Sequence, residues 1–520
     1  MAARKLEILM VMALCASSLL CGCAAGPDFV RPEAPSVKQY TQGSQPEETI
    51  SANGGAQRFD QGAKLAADWW SLFKSPELDA VIKEAIANNP TLQAAEASLR
   101  ESQYNLKAGY GVFYPQLDAN ASAERQLFSP AKLGQTAAGS IFNLFTLGAV
   151  VGYTLDVFGG ARRQVESLRA QEDYQRDTML AAYIALTGNV INTVIARAAY
   201  ITQIDATVNI ITLEREQVRV ANVQAMAGTV PYSNVLALQS QLAAIEATLP
   251  QLKQKLSQTE DLLATLMGRL PAEWTSPQVR LVDLTLPRDL PLSLPSELVR
   301  QRPDILAAEA QLHSANAEIG VATAALLPSF TLNGTYGVNS TSTDDLLKKS
   351  SSFWSLGPDV DVPLFHGGTL MFQRKAAVEA YRQSLANYRQ TVLTAFAQVA
   401  DTLRALEHDA ETLRAQSQAL DTAAEALRLI NINYQAGTVN YLDVLNANNQ
   451  FYQTKIAYLQ ATAQRFQDTV ALFVALGGGW RDAKEGDILG GQPAASPASA
   501  ADTASMDAVP SRAKRQLPVQ

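Results

Sequence analysis

Four segments of the chain alternate strictly between apolar and polar residues. In the first, Leu117, Ala119, Ala121 and Ala123 alternate with Asp118, Asn120, Ser122 and Glu124. In the second, Val151, Tyr153, Leu155 and Val157 alternate with Gly152, Thr154 and Asp156. A third sets Phe330, Leu332, Gly334, Tyr336 and Val338 against Thr331, Asn333, Thr335 and Gly337. A fourth sets Trp354, Leu356, Val360 and Val362 against Ser355, Gly357, Asp359 and Asp361. Period two makes a strand with one apolar and one polar face, the pattern of an outer-membrane strand. Beside them run two proline-free stretches rich in Ala, Gln, Leu and Arg, at about 162–227 and about 369–435. Each predicts a helix of about 65 residues, a rod about 100 Å long. Turn signals at Gly228 and Gly437 then predict return helices, so the rods form antiparallel hairpins in a larger bundle.

The pattern occurs twice, at an offset of roughly 210 residues. Asn89-Pro90 before Gln93-Ala94-Ala95-Glu96 matches Arg302-Pro303 before Leu306-Ala307-Ala308-Glu309. Tyr114-Pro115 matches Leu327-Pro328, and Phe158-Gly159-Gly160 matches Phe365-His366-Gly367-Gly368. Ala227-Gly228-Thr229-Val230 matches Ala436-Gly437-Thr438-Val439, and Met267-Gly268 matches Leu476-Gly477. Landmarks kept in one order predict an internal duplication. Each unit holds a helix, a β-hairpin, a long helix and a return helix.

The N-terminus reads as a secretory signal: Arg4 and Lys5, the apolar run Ile8–Leu20, then Gly22. Gly22 before Cys23 resembles a lipobox, which makes Cys23 the candidate lipid attachment residue; Leu20 before Cys21 fits poorly. Acyl chains anchor at about 0.8 kcal/mol per buried methylene. Ala24 replaces the Asp usual in inner-membrane retention, which favours the outer membrane. Residues 478–520, rich in Gly, Ala, Ser and Pro, read as a disordered tail.

Composition narrows the function. Against 42 basic residues stand 50 acidic ones, a net charge of −8, and no strongly basic domain marks a nucleic-acid partner. The three cysteines, Cys15, Cys21 and Cys23, all precede Ala24, and the three histidines, His313, His366 and His408, are scattered. No metal site, cofactor loop or catalytic constellation is expected. Four strands also fall short of the roughly eight a membrane barrel needs. Two chains would make a filled barrel, while three would make twelve strands around a lumen. The polar face of Asp118, Asn120, Thr154, Asp156, Asp359 and Asp361 would line it.

Cys23 with Gly26-Pro27-Asp28-Phe29-Val30-Arg31-Pro32, and Asp68-Trp69-Trp70 with Phe73, Pro76 and Leu78, resemble the NodT/OprM branch of TolC-like outer-membrane efflux factors. So do Arg302-Pro303-Asp304-Ile305, Ala307-Ala308-Glu309, Ile319-Gly320-Val321-Ala322 and Leu327-Pro328. The likeness covers residues 20–480. It implies a mainly α protein with a membrane β-barrel: a homotrimer whose twelve outer-membrane strands, four per chain, continue into a periplasmic α-helical barrel. It implies a passive duct, not an enzyme, in the outer membrane. The duct serves an inner-membrane transporter, commonly of the RND type, through a periplasmic adaptor. Drugs or other small molecules are the expected cargo, and type I protein secretion is the alternative. The resemblance places a periplasmic gate at Tyr434 and Asp443. TolC carries a second aspartate where Asn446 stands here, and an arginine where Val439 stands.

The expected layout is a signal peptide at 1–22, a lipidated extended segment at 23–67, and a first repeat at 68–268. That repeat holds a hairpin at about 115–157 and a return helix at about 231–267. A linker at 269–295 leads to a second repeat at 296–477, with a hairpin at about 328–363 and a return helix at about 440–476. The tail follows at 478–520.

Overall fold

Proline and glycine punctuate the helices of this chain. The computed structural model describes residues 24–43, 46–52, 55–129, 134, 136 and 138–480. The expected signal peptide, Cys23 and residues 481–520 lie outside the described residues. In order, the chain forms β1 (Arg58–Gln61), α1 (Pro76–Asn88), α2 (Pro90–Gly109), β2 (Gln116–Phe128) and β3 (Ser140–Leu155). There follow α3 (Gly160–Met226), α4 (Tyr232–Glu246), α5 (Thr248–Leu266) and β4 (Asp289–Leu292). The remainder is α6 (Pro295–Gln301), α7 (Pro303–Ala324), β5 (Ser329–Ser340), β6 (Ser352–Asp361), α8 (Thr369–Gln435) and α9 (Tyr441–Ala475). Helices α1, α2, α6 and α7 each begin on proline, whose missing N–H costs nothing in a first turn.

The two long helices have 67 residues each, so both span about 100 Å. Helix α3 ends in a Schellman motif: the Gly228 N–H reaches Ala225 O and the Thr229 N–H reaches Gln224 O, both at 3.0 Å. Helix α8 ends the same way, with Gly437 on Tyr434 O at 3.0 Å and Thr438 on Asn433 O at 2.9 Å. Both glycines hold the left-handed φ that this cap requires, 71° and 74°.

The expected single return helix over 231–267 is two helices. Pro250 has no N–H for the turn before it, so the chain breaks at Ala247 into α4 and α5. In the second half no proline intervenes, and α9 runs unbroken for 35 residues.

The main core lies midway along the bundle. Trp69, Phe73, Leu78 and Ile82 pack there with Val190, Ile191, Ile195, Val470 and Phe473. Trp69 meets Phe473 at 5.2 Å between ring centroids, and Trp70 donates from Nε1 to Asp79 at 3.0 Å. One stretch of α3 is apolar enough to cross a membrane, with mean hydropathy 1.6, but 67% of it is buried in the protein. Its apolarity serves this core. Parallel strands β1 and β4 flank it, an addition to the expected extended segment and linker. The boundary of the expected tail also moves. Residues 478–480 are held by the core: Trp480 donates from Nε1 to Gln301 O at 2.8 Å and packs against the apolar cluster.

The other strands form one antiparallel sheet in the order β2-β3-β5-β6. Register aligns the apolar positions across it: Val151 opposes Leu117 and Gly334, Tyr153 opposes Leu332, and Tyr336 opposes both Ala149 and Trp354. The polar positions align on the other face, where Thr154, Thr331 and Asp359 are neighbours. Strand β3 begins at Ser140, well before the expected Val151, because Phe142 and Leu144 make its first half apolar on both faces. Asp156 is not on the strand face. It lies past Leu155 and accepts from the Ala161 and Arg162 N–H groups at 3.0 Å each, capping α3.

A polar cluster is built into the core. Arg465, 1% exposed, donates to Gln57 Oε1 at 3.0 Å and Gly55 O at 3.0 Å. Beside it, burial pushes Asp409 up to about 8, and the adjacent Asp468 carboxyl adds to this while Arg465 opposes it. The folded chain keeps this proton where the unfolded chain has released it, so stability falls as pH rises through the window from 3.8 to about 8. Asp409→Asn is expected to flatten that fall and raise the thermal midpoint near pH 8. Thermal unfolding followed by circular dichroism checks this; an unchanged slope would mean that Asp409 is ionised in the fold.

Candidate functional site

Two ends of the bundle hold the expected site residues. At the sheet end, the residues just after Cys23 form an extended strap along α7. Ala25 N–H donates to Phe158 O at 2.8 Å, beside the start of α3. Gly26 packs so closely on Gly320 that an added Cβ would lie 2.5 Å from its Cα. Pro27 O accepts from Asn316 at 3.0 Å, Phe29 stacks on His313 at 4.3 Å, and Arg31 pairs with Glu309 at 2.5 Å. The strap thus descends α7 about one turn at a time, through positions 320, 316, 313 and 309.

Charge locks the upper contacts. Arg163, 4% exposed, donates to Ala25 O at 3.1 Å, Asp28 at 2.6 Å and Glu166 at 2.7 Å. Glu166 also holds His313 Nε2 at 2.8 Å. These bonds fix Ala24 against Gly159, at the junction where β3 gives way to α3. Ala24 therefore sits at the foot of the sheet.

At the far end, the turns after α3 and α8 lie side by side. Tyr434 donates to Gln224 Oε1 on α3 at 3.2 Å, and its ring meets Tyr441 edge-on at 5.4 Å. Tyr441 Oη and Asn448 Nδ2 both donate to Gln217 Oε1, at 3.1 and 3.0 Å. Burial, with Glu214 nearby, pushes the Tyr441 hydroxyl well above its ordinary value, so it remains a donor. Tyr434 therefore belongs to a latch joining three helices, whose other members Gln217, Gln224, Tyr441 and Asn448 sequence reasoning missed.

Asp443 stands apart from that latch. It forms a capping box with Asn440: the Asn440 N–H donates to Asp443 Oδ2 and the Asp443 N–H to Asn440 Oδ1, both at 3.1 Å. The carboxyl is half-exposed and keeps Oδ1 outside the box. Among the described residues, no three of His, Cys, Asp and Glu group closely enough to hold a metal ion.

A sheet with a continuous apolar face, set on long helical hairpins, defines a channel-forming protein of the bacterial outer membrane. Comparison with known proteins agrees. The family model for outer membrane efflux protein matches residues 81–269 and 294–478, so the chain belongs to that family. It is 32% identical over 426 residues to the pyoverdine export outer membrane protein OpmQ of Pseudomonas aeruginosa, covering 80% of this chain and 88% of that one. It is 29% identical over 479 residues to the cation efflux system protein CusC of Escherichia coli, covering 91% of this chain and 99% of that one. The solved outer-membrane channel OprN superposes with a TM-score of 0.81 at 26% identity, covering 88% of this chain and all of that one. The protein is thus an outer-membrane efflux channel that reaches into the periplasm, the outer component of a tripartite efflux pump. Its relatives are transport proteins.

Proposed function

We propose that three copies of this chain close one twelve-stranded barrel, continued by a helical barrel across the periplasm, and that small molecules leave the cell through it. The open sheet carries this reading. Strands β2 and β6 are its two edges, and lipid would leave their backbone groups without partners. Its apolar face is also bare: Leu117, Trp354 and Leu356 are 73, 75 and 69% exposed. Leu364 and Phe365, just beyond β6, are likewise bare at 90 and 89%. With the apolar face outward, Asn120, Thr154, Thr331 and Asp359 line the lumen. An adaptor and an inner-membrane transporter, of the RND type, complete the pump. Relatives named for cations and for pyoverdine support a small cargo over a secreted protein.

The halves support an origin by duplication. Asn89 donates to Leu266 O at 2.9 Å at the end of the first half, and its counterpart Arg302 donates to Ala475 O at 2.7 Å at the end of the second. The measurement for the assembly is native mass in detergent with planar-bilayer current. A conducting trimer is expected, and a conducting monomer would overturn the architecture.

Cys23 is the proposed lipid attachment residue. The strap holds its neighbour Ala24 at the foot of the sheet, where acyl chains would enter the inner leaflet beside the barrel. Cys23→Ser is expected to lose incorporation of labelled palmitate; continued labelling would place the lipid elsewhere.

The gate is proposed at the far turns, through Tyr434 and Asp443. Three Asp443 carboxylates about 8 Å apart, at an effective dielectric near 20, repel by about 2 kcal/mol per pair. Cations offset that repulsion, so multivalent cations are expected to block the channel from the periplasmic side. Asp443→Ala is expected to abolish most of the block, and Tyr434→Ala to raise conductance by opening the latch. Single-channel currents with a trivalent cation on each side in turn are the check. Equal block in wild type and Asp443→Ala removes Asp443 from the gate.

A further inference from the structure

Helix α3 presents Gln203, Thr207, Ile210, Glu214, Gln217 and Ala221 at alternating spacings of four and three, the spacing of a helix-packing seam. Glu214 occupies an inner position of that seam and is 1% exposed. The cluster of Ile210, Ile211 and Ile245 lies on one side of it, and that of Ala221, Val235, Leu238 and Leu445 on the other. Its Oε2 is buried without a hydrogen-bond partner. Its burial is already complete within one chain.

The surrounding charges do not neutralise it. Arg215, next along α3, turns to Glu246 of α4 at 2.7 Å, and Glu216 pairs with Arg219 at 2.5 Å. From α9 the facing titratable group is Tyr441, and Tyr434 of α8 stands behind it. Tyr452 of α9 lies further along and shares a hydrogen bond with Thr248 of α5 at 3.2 Å. No cation among these compensates Glu214, and burial raises its pKa. An unpaired carboxylate is costly in such a place, so the closed seam disfavours the charged form.

We propose that Glu214 is a positioning residue of the gate, neutral while α3 packs against α9 and ionised when the seam opens to water. Opening and proton release are then linked, and each must favour the other. Low pH holds the latch of Tyr434, Tyr441 and Gln217 shut, and rising pH loosens it. The proposal rests on the reading of these turns as the gate. A polar residue in a seam can also act only by setting register. Glu214→Gln separates the two, because it keeps polarity and shape but cannot ionise.

The experiment is single-channel recording of the whole assembled protein from about pH 5 to about pH 9. Wild type, Glu214→Gln, Glu214→Leu and Tyr434→Ala are compared, each also with Asp409→Asn to remove the second titrating carboxyl. Wild type is expected to open at least tenfold more often at the alkaline end. Both Glu214 variants are expected to stay mostly closed with a flat pH profile, which a role in register alone does not produce. Glu214→Leu serves where Glu214→Gln fails to assemble. A wild-type pH profile retained in the Glu214 variants, or no pH dependence in wild type, overturns the proposal. If Tyr434→Ala raises conductance in that case, the gate reading survives; if it changes nothing, both fall.

Discussion

Every edge of a β-sheet carries a row of amide and carbonyl groups seeking partners, and hydrocarbon supplies none. Here the rows run along β2 and β6, on either side of a sheet to which each half of the chain gives one hairpin. The central pairing, β3 with β5, joins the two halves, so neither half completes a sheet of its own. In the proposed trimer, closure is left to further copies, and that need would set the rest of the arrangement. Rods about 100 Å long descend from the strands, and in that assembly they would ring the same axis. Bare apolar residues at the strand–helix junction would then become contacts between copies.

Stability is distributed unevenly along those rods. Midway, the Trp69, Phe73 and Phe473 cluster is closed at both ends of the chain by Arg302, Gln57 and Arg465, each bonded to elements far away in sequence. At the far turns, small apolar clusters alternate with Tyr–Gln and Asn–Gln bonds. Such bonds each contribute about 1 kcal/mol net, far less than a buried aromatic core. The end proposed as the gate is therefore the end held by exchangeable contacts, while the middle is held by the aromatic core.

The alternating strands and the long helices were legible because period two and the absence of proline are properties of neighbouring residues. The first half of β3 was hidden because Phe142 and Leu144 put apolar groups on the polar face. Asp156 looked like another strand residue, and only the path of the chain shows it capping α3. Pro250 was a signal available in the sequence, a helix breaker inside the expected return helix. Asn440, three residues before Asp443, was another, since that spacing marks a capping box. Gln217 carried no signal at all. A lone glutamine on a helix says nothing until the fold brings Tyr441 and Asn448 to its oxygen.

The strap along α7 has a mechanical consequence. In the proposed pump, traction from the periplasmic end would run along the long helices, and the strap runs along α7, which packs against α3. Its contacts at Gly320, Asn316, His313 and Glu309 are therefore loaded in shear, together, instead of being peeled one after another. Tension applied at the helices reaches the N-terminus through the whole ladder at once. With a lipid on Cys23, as proposed, traction would be carried by this ladder along α7 and would not tear at the strands.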